Sequence, residues 1–325
     1  MLVTDIKRPR KDGSIAIGFY MQKYLAENLA PLRKYLDAAW DCVGIVSGHG
    51  KVRIGKSSMA AQIGYFIAWI LSGGQMDFEN NCVLKKPDRK WKDGSVGIKF
   101  SLQENLVFSA DDLQERAKTL YDKYGPNQVI IYDEGRQGLE SARAMENINK
   151  GMEDFFQEAG VMGHVMIVVL PSFFKLHEDY ATARSLFLVD VFAKGGVERG
   201  YFNFYNETQK EWLYYLGKKK IGIANKYMSA NESFWGKFTK WFPFDKKQYE
   251  QMKMEALEKK RKTRREKNLW LQRDFLLWRL KNHYEEKDQE LLEEMEKVID
   301  VQMGERTLRL CRERINEIIA KKKGY

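Results

Sequence analysis

The stretch Gly50-Lys-Val-Arg-Ile-Gly55-Lys56-Ser57 decides the fold. It lies between the apolar run Cys42-Val-Gly-Ile-Val-Ser47 and a helix-prone segment over 56–71. It fits G-x-x-x-x-G-K-[ST] at every fixed position, in the strand-before, helix-after context that this pattern requires. Its glycines permit a tight turn in which successive N–H groups point inward, and the helix N-terminus adds its partial positive charge. Such a nest suits phosphate. Residues Gly50, Lys51, Val52, Arg53, Ile54, Gly55, Lys56, Ser57 and Ser58 are expected to line it. Lys56 would reach the β- and γ-phosphates, and the Ser57 hydroxyl would complete the shell of a Mg2+ ion. The competing reading is a Gly-rich strand-to-helix turn that arose by chance.

A second motif follows 77 residues after Lys56, in Gln128-Val-Ile-Ile-Tyr-Asp133-Glu134. An apolar strand that ends in an acid sets a carboxylate beside the phosphate turn, where Asp133 would hold Mg2+ through water. Glu134 is placed to orient or deprotonate the attacking water. In-line phosphoryl transfer needs mainly positioning and charge neutralisation, so this small set is nearly sufficient. Taken alone, an Asp-Glu pair is weak, because acids often end strands.

Working outward, strands are expected at 106–109, 128–132, 164–170 and 186–192, alternating with helices near 110–124, 141–158 and 172–184. That alternation predicts an α/β fold, a mostly parallel sheet sandwiched by helices. Residues 15–39 read as one or two amphipathic helices, and 73–103 as a loop or hairpin insertion. Tyr201-Phe-Asn-Phe-Tyr205 and Glu211-Trp-Leu-Tyr-Tyr215 read as an aromatic hairpin. With Lys218-Lys-Lys220 beyond it, this hairpin is suited either to stacking unpaired bases or, as we prefer, to core packing. After Pro243 the pattern turns helical and charged. The expected organisation is an α/β domain over 1–244, a basic helical linker over 245–267 and an all-α C-terminal domain over 268–325.

With these two motifs, residues 40–195 resemble the P-loop NTPases of the additional-strand catalytic-glutamate class, which includes AAA+, RecA-like and FtsK/HerA-like ATPases. The resemblance implies ATP and Mg2+ as cofactors, Lys56 and Glu134 as catalytic residues, and Ser57 and Asp133 at the metal. It also implies a sheet in which an extra strand separates the phosphate-binding strand from the Asp-Glu strand; the strands at 106–109 and 164–170 supply material for that order, and a polar sensor follows the latter, here Ser172. Many such ATPases work as rings, one subunit lending an arginine to its neighbour. Arg184 is the first candidate, then Arg143 and Arg136; the alternative for each is a solvated surface arginine. No N-K-x-D element is present, which favours ATP over GTP.

Composition bounds the rest. The chain has 325 residues, 44% hydrophobic and 31% charged, enough apolar surface for a real core and about two domains of ordinary size. No apolar run approaches the ~18 residues of a membrane span, and the first ten residues lack an apolar secretory region. Cys42, Cys82 and Cys311 form no CxxC pair, and His49, His164, His177 and His283 show no ligand spacing. A soluble, cytoplasmic chain is expected. The net charge is +10, and 22 basic against 17 acidic residues over 245–325 put half of that excess in the last quarter.

Within that quarter Lys259, Lys260, Arg261, Lys262, Arg264 and Arg265 crowd one short run, suited to clamping phosphates independently of base sequence. Helices at 273–280, 288–298 and from 305 onward outline a helix-turn-helix unit, which would aim Arg306, Thr307 and Arg309 at DNA. A helical bundle or coiled-coil oligomerisation tail is the alternative. The leading expectation is therefore a Mg2+-dependent ATPase acting on DNA, similar to the motor and remodelling ATPases of phages and mobile elements, and forming a homo-oligomer. The alternative is a nucleotide-switched assembly or regulatory protein with little turnover.

Overall fold

Short strands open the chain in a computed structural model that describes residues 2–3, 7–9, 15–17, 20–38, 40, 42–48, 53–80, 82–109, 111–133, 162–284, 292–293 and 305–323. Strands β1 (Leu2–Val3) and β4 (Tyr20–Met21) pair antiparallel, as do β2 (Lys7–Pro9) and β3 (Ile15–Ile17). Helix thus begins later than the periodicity of 15–39 predicts. The Ile-Ala-Ile alternation favours extended backbone. Helix α1 (Lys23–Leu29) starts where Gln22 accepts a hydrogen bond from the Leu25 N–H at 2.8 Å, and α2 (Leu32–Asp37) follows.

The core is built on strands whose sequences read as unbroken apolar runs, the pattern of strands covered on both faces. They are β5 (Cys42–Gly48), β9 (Val129–Asp133) and β10 (Val165–Val169), and every residue in them is buried. Between β5 and β9 the chain forms α3 (Lys56–Leu71), a hairpin of β6 (Gln75–Asp77) and β7 (Cys82–Lys85), α4 (Leu102–Asn105), β8 (Leu106–Val107) and α5 (Asp111–Tyr124). After β10 come a single 3-10 turn (Phe173–Lys175), α6 (Glu178–Thr182), β11 (Phe187–Lys194), β12 (Glu198–Tyr205), α7 (Glu207–Lys218), α8 (Ile223–Tyr227) and β13 (Phe234–Lys237).

The main sheet has seven strands in the order β13-β12-β11-β5-β10-β9-β8. From β11 to β8 the neighbours are parallel, and β12 and β13 add antiparallel to that edge. Strand β10, late in sequence, sits between β5 and β9. Its register pairs Val169 with both Val46 and Asp133, so the ends of all three strands share one edge of the sheet.

The expected aromatic hairpin is corrected. Residues 201–205 do lie in a strand, but β11 and β13 flank it, and 207–218 is a helix. Asn206 caps that helix by accepting from Gln209 N–H at 3.0 Å. Lys210, Leu213, Tyr214 and Gly217 are its buried residues, a spacing of helical period. Five of the seven aromatic residues are buried, and only Trp212 and Tyr215 are exposed, so packing dominates this cluster. The Lys210 ammonium is itself buried and donates to the carbonyls of Ala181 and Thr182, both at 2.7 Å, tying α7 to α6.

The chain divides into two compact units, 1–253 and 254–325. The helix α9 (Lys246–Tyr284) runs without interruption through the stretch expected as linker and onward. Among the described residues of the second unit, α10 (Glu305–Lys323) follows. Leu308, Cys311, Arg312 and Ile315 form its buried stripe, and Leu277 is buried with Leu308 and Cys311. The Asp274 carboxylate is fully buried and takes Arg273 and Arg314, each at 2.6 Å. The expected helices at 141–158 and 288–298 lie outside the described residues, apart from the helical pair 292–293. Among the described residues, no helix is long and apolar enough to cross a membrane.

His164 joins α5 to the start of β9. Its Nδ1 accepts from the Gln128 N–H at 3.2 Å, and Nε2 lies 3.0 Å from the Ala117 carbonyl. Burial pushes its pKa down from 6.5 to about 4, and the Ala117 contact offsets only part of that. The unfolded chain therefore binds the extra proton across that window, and the fold loses stability as pH falls from about 6.5 to about 4. The expected loss attributable to His164 is about 3 kcal/mol. Urea denaturation at pH 7 and pH 4.5 checks it: His164→Gln should show a clearly shallower pH dependence than the parent chain.

Candidate phosphate and metal site

The site begins where β5 ends. The structure describes Gly48 and resumes at Arg53, so His49, Gly50, Lys51 and Val52 lie outside the described residues. Arg53 has φ 57° and Gly55 φ 104°, both left-handed, before α3 starts at Lys56. A φ of 104° suits glycine alone, and the Phe238 ring lies against Gly55, where a Cβ would come within 2.9 Å of Cζ. The N-cap residue, Gly55, has no side chain to cap this helix, so the N–H groups of Lys56, Ser57 and Ser58 stand in its first turn. Lys56 folds back over the end of β5. A Cβ on Gly48 would stand 3.2 Å from Lys56 Cδ and 2.5 Å from Ile54 Cδ1. Ile54 is buried, Arg53 is exposed, and Gly55 to Ser58 are half-buried at the mouth of the turn.

Asp133 ends β9 at the same sheet edge, nearly fully buried. Its partners come from more than a hundred residues away in sequence. The Tyr249 hydroxyl donates to Asp133 Oδ2 at 2.6 Å, and Lys253 Nζ lies 3.3 and 3.4 Å from the two carboxylate oxygens. Lys253 also donates to the Tyr249 oxygen at 2.8 Å. The Ser57 side chain lies near the same phenol and favours its ionised form slightly. Ser57 and Asp133, the two expected metal residues, thus stand on either side of one tyrosine. Burial first, and then the Asp133 charge and hydrogen bond, push the Tyr249 pKa far up, so this phenol stays protonated. Both Tyr249 and Lys253 escaped sequence reasoning. They stand one helical turn apart behind the helix-capping Asp245, which accepts from Gln248 N–H at 2.8 Å, but no local pattern says what they face.

Behind the turn lies a second buried tyrosine that sequence reasoning also missed. The Tyr227 hydroxyl accepts from Phe173 N–H at 3.0 Å, donates to the Gly48 carbonyl at 3.3 Å and stands 2.9 Å from Ser47 Oγ. Ser172, the expected sensor, is buried close to it. Asp190 on β11 pairs in register with Ser47. Burial first, then the Asp190 charge, push the Tyr227 pKa up, so it too remains a neutral donor. One hydroxyl therefore ties the root of the phosphate turn to the segment that follows β10.

The remaining expected residues are dispersed. Glu134, Arg136 and Arg143 lie outside the described residues. Arg184 is exposed between α6 and β11, whose first residue pairs with Gly44. That is the sheet edge opposite Gly48, so Arg184 does not reach the site of its own chain. Lys259 is exposed on α9, while the side chains of Lys260, Arg261, Lys262, Arg264 and Arg265 are outside the described set. Arg306, Thr307 and Arg309 are exposed on the first turns of α10, with Arg309 3.6 Å from Glu313.

A hydroxyl and a carboxylate are hard oxygen donors, and Mg2+ is held by few such protein ligands together with water and substrate phosphates. The Ser57 and Asp133 pair fits that chemistry. Among the described residues, no group of three or more His, Cys, Asp or Glu is placed to hold an ion. No family profile matches the chain, and neither a curated protein nor a solved structure matches it.

Tyr227→Phe should lower stability by about 1–3 kcal/mol, because it leaves the Phe173 N–H and the Gly48 carbonyl buried without their shared partner. Urea denaturation reads this directly, and an unchanged midpoint and slope would show that the hydroxyl does not hold the turn.

Proposed function

We propose that this chain is a cytoplasmic, Mg2+-dependent P-loop ATPase that acts on DNA as a homo-oligomer. One observation carries the reading: Gly55, Lys56 and Ser57 open α3 beside the end of β5, while Asp133 closes β9 at the same edge of the sheet. The strand order supports it, since β10 separates β5 from β9 as the resemblance to additional-strand ATPases requires.

In this reading the first N–H groups of α3 and the Lys56 ammonium take the phosphate oxygens. Ser57 and Asp133 hold Mg2+, which when bound neutralises phosphate charge. Glu134, one residue beyond Asp133, orients the attacking water and accepts its proton. Tyr227 keeps the Gly48 end of the turn and the Ser172 segment in fixed relation, so the amides need not reorganise during transfer. Arg184, remote from its own site, serves a neighbouring subunit. The basic run at 259–267, with Arg306, Thr307 and Arg309, meets the DNA backbone.

A second reading, a nucleotide-switched assembly protein with little turnover, is favoured by the side chains that already engage Asp133.

A steady-state ATPase assay with duplex DNA, single strands, RNA and no nucleic acid tests the proposal. DNA should raise turnover, Lys56→Ala should abolish ATP binding, and Glu134→Gln should cut turnover by about 100-fold or more while ATP still binds. Equal rates with and without DNA would remove the DNA arm, and unimpaired turnover in Lys56→Ala would remove the ATPase. Replacing the basic residues of 259–267 with Gln should flatten the salt dependence of DNA binding; an unchanged slope would place the contact elsewhere.

A further inference from the structure

We propose that the first two turns of α9 form a plug that holds the metal position shut, and that Mg2+-nucleotide can bind fully only when Tyr249 and Lys253 leave Asp133. The inference rests on the P-loop reading of this site and adds its regulation.

The geometry is competitive. Oδ2 of Asp133 already takes the Tyr249 hydroxyl at 2.6 Å and the Lys253 ammonium at 3.3 Å, and the ammonium also lies 3.4 Å from Oδ1. A Mg2+ ion demands oxygen ligands at close range in near-octahedral array. The phenol proton and a cationic side chain occupy that approach, and a second positive charge beside the same carboxylate is repelled. The Ser57 side chain lies near the same phenol, so the plug stands beside both expected metal residues.

The plug is also well anchored on its upstream side and locally folded. Gln62 on α3 donates to the carbonyls of Thr239 and Trp241 at 2.8 and 2.7 Å, which fixes the chain just before α9. Asp245 caps the helix, and the Tyr249 ring packs against Phe242 and Phe108 with centroids 5.2 and 5.9 Å away. The segment thus reaches Asp133 as a preformed helical turn rather than as a loose tail. Tyr249 and Lys253 are four residues apart and so share a face. Withdrawing that face frees both oxygens of the carboxylate together.

The test uses the full chain and a fluorescent ATP analogue, with and without Mg2+. Tyr249→Phe/Lys253→Met keeps the ring and the aliphatic stem. It should bind the Mg2+ complex at least 10-fold more tightly than the parent chain, with little change in EDTA. In the parent chain, amide exchange over 246–253 should quicken on addition of Mg2+-ATP and not of ATP in EDTA. Lys56→Ala, made in both backgrounds, separates the two levels. If Lys56→Ala abolishes binding but the double variant binds the Mg2+ complex no better, or exchange over 246–253 does not respond, the plug is overturned and the P-loop reading stands. If binding survives Lys56→Ala, the P-loop reading falls, and the plug falls with it.

Discussion

A carboxylate buried at the end of a parallel strand must be neutralised or solvated, because burying it alone costs several kcal/mol. Asp133 is in that position, and the rest of the first unit is arranged around the demand. The strands beside it, β10 and β8, are apolar along their whole length and offer it no side-chain partner. Relief comes from Tyr249 and Lys253, brought back over the sheet edge by the aromatic segment that precedes α9. The buried charge of Asp133 thus makes it a strong attractor for any donor the chain can supply. Exchange of one partner for another at this atom is the natural way for such a site to have two states.

Two neutral phenols bracket the turn. Tyr227 grips the carbonyl of Gly48 and the amide of Phe173 from behind, and Tyr249 holds Asp133 in front. Burial keeps both protonated, so each works as a fixed hydrogen-bond donor. Their surroundings differ. Tyr227 is locked among α8, β5 and the turn after β10, whereas Lys253 beside Tyr249 keeps about a quarter of its side chain in solvent. A rigid rear and a partly solvated front are what a nucleotide site needs if it is to be preorganised and still admit its ligand.

Much of this was legible in sequence where the signal was local. The apolar runs ending at Ser47 and Asp133 gave strands because only a doubly covered strand can bury every residue, and Gly55-Lys-Ser marked the start of α3 because a left-handed glycine ends the turn there. The residues 211–215 were harder. Aromatic and β-compatible, they read as strand until Asn206 is recognised as a helix cap and Lys210, Leu213, Tyr214 and Gly217 as a helical stripe. Residues 15–17 failed the other way, their alternation hidden inside a longer apolar pattern. Tyr249 and Lys253 were beyond reach, because a contact across 116 residues leaves no trace in either segment.

The second unit shows how net charge misleads when its location is unknown. Burial pushes the Asp274 carboxyl up, but hydrogen bonds and ion pairs from Arg273, together with Arg314, outweigh it and hold the group below its usual range. Arg312 is buried as well and donates to the Leu277 carbonyl at 3.4 Å. Three of the arginines that made this region look like a basic surface are therefore spent inward, on the packing of α9 against α10. Arg306 and Arg309 remain outside the buried stripe, and Arg309 sits near Glu313 in an exposed pair of small worth. A polyanion would meet its densest positive charge at 259–267 instead, where seven of nine residues are basic and the run begins six residues after Lys253 on the same helix. That run and the Tyr249–Lys253 face therefore belong to one continuous helix.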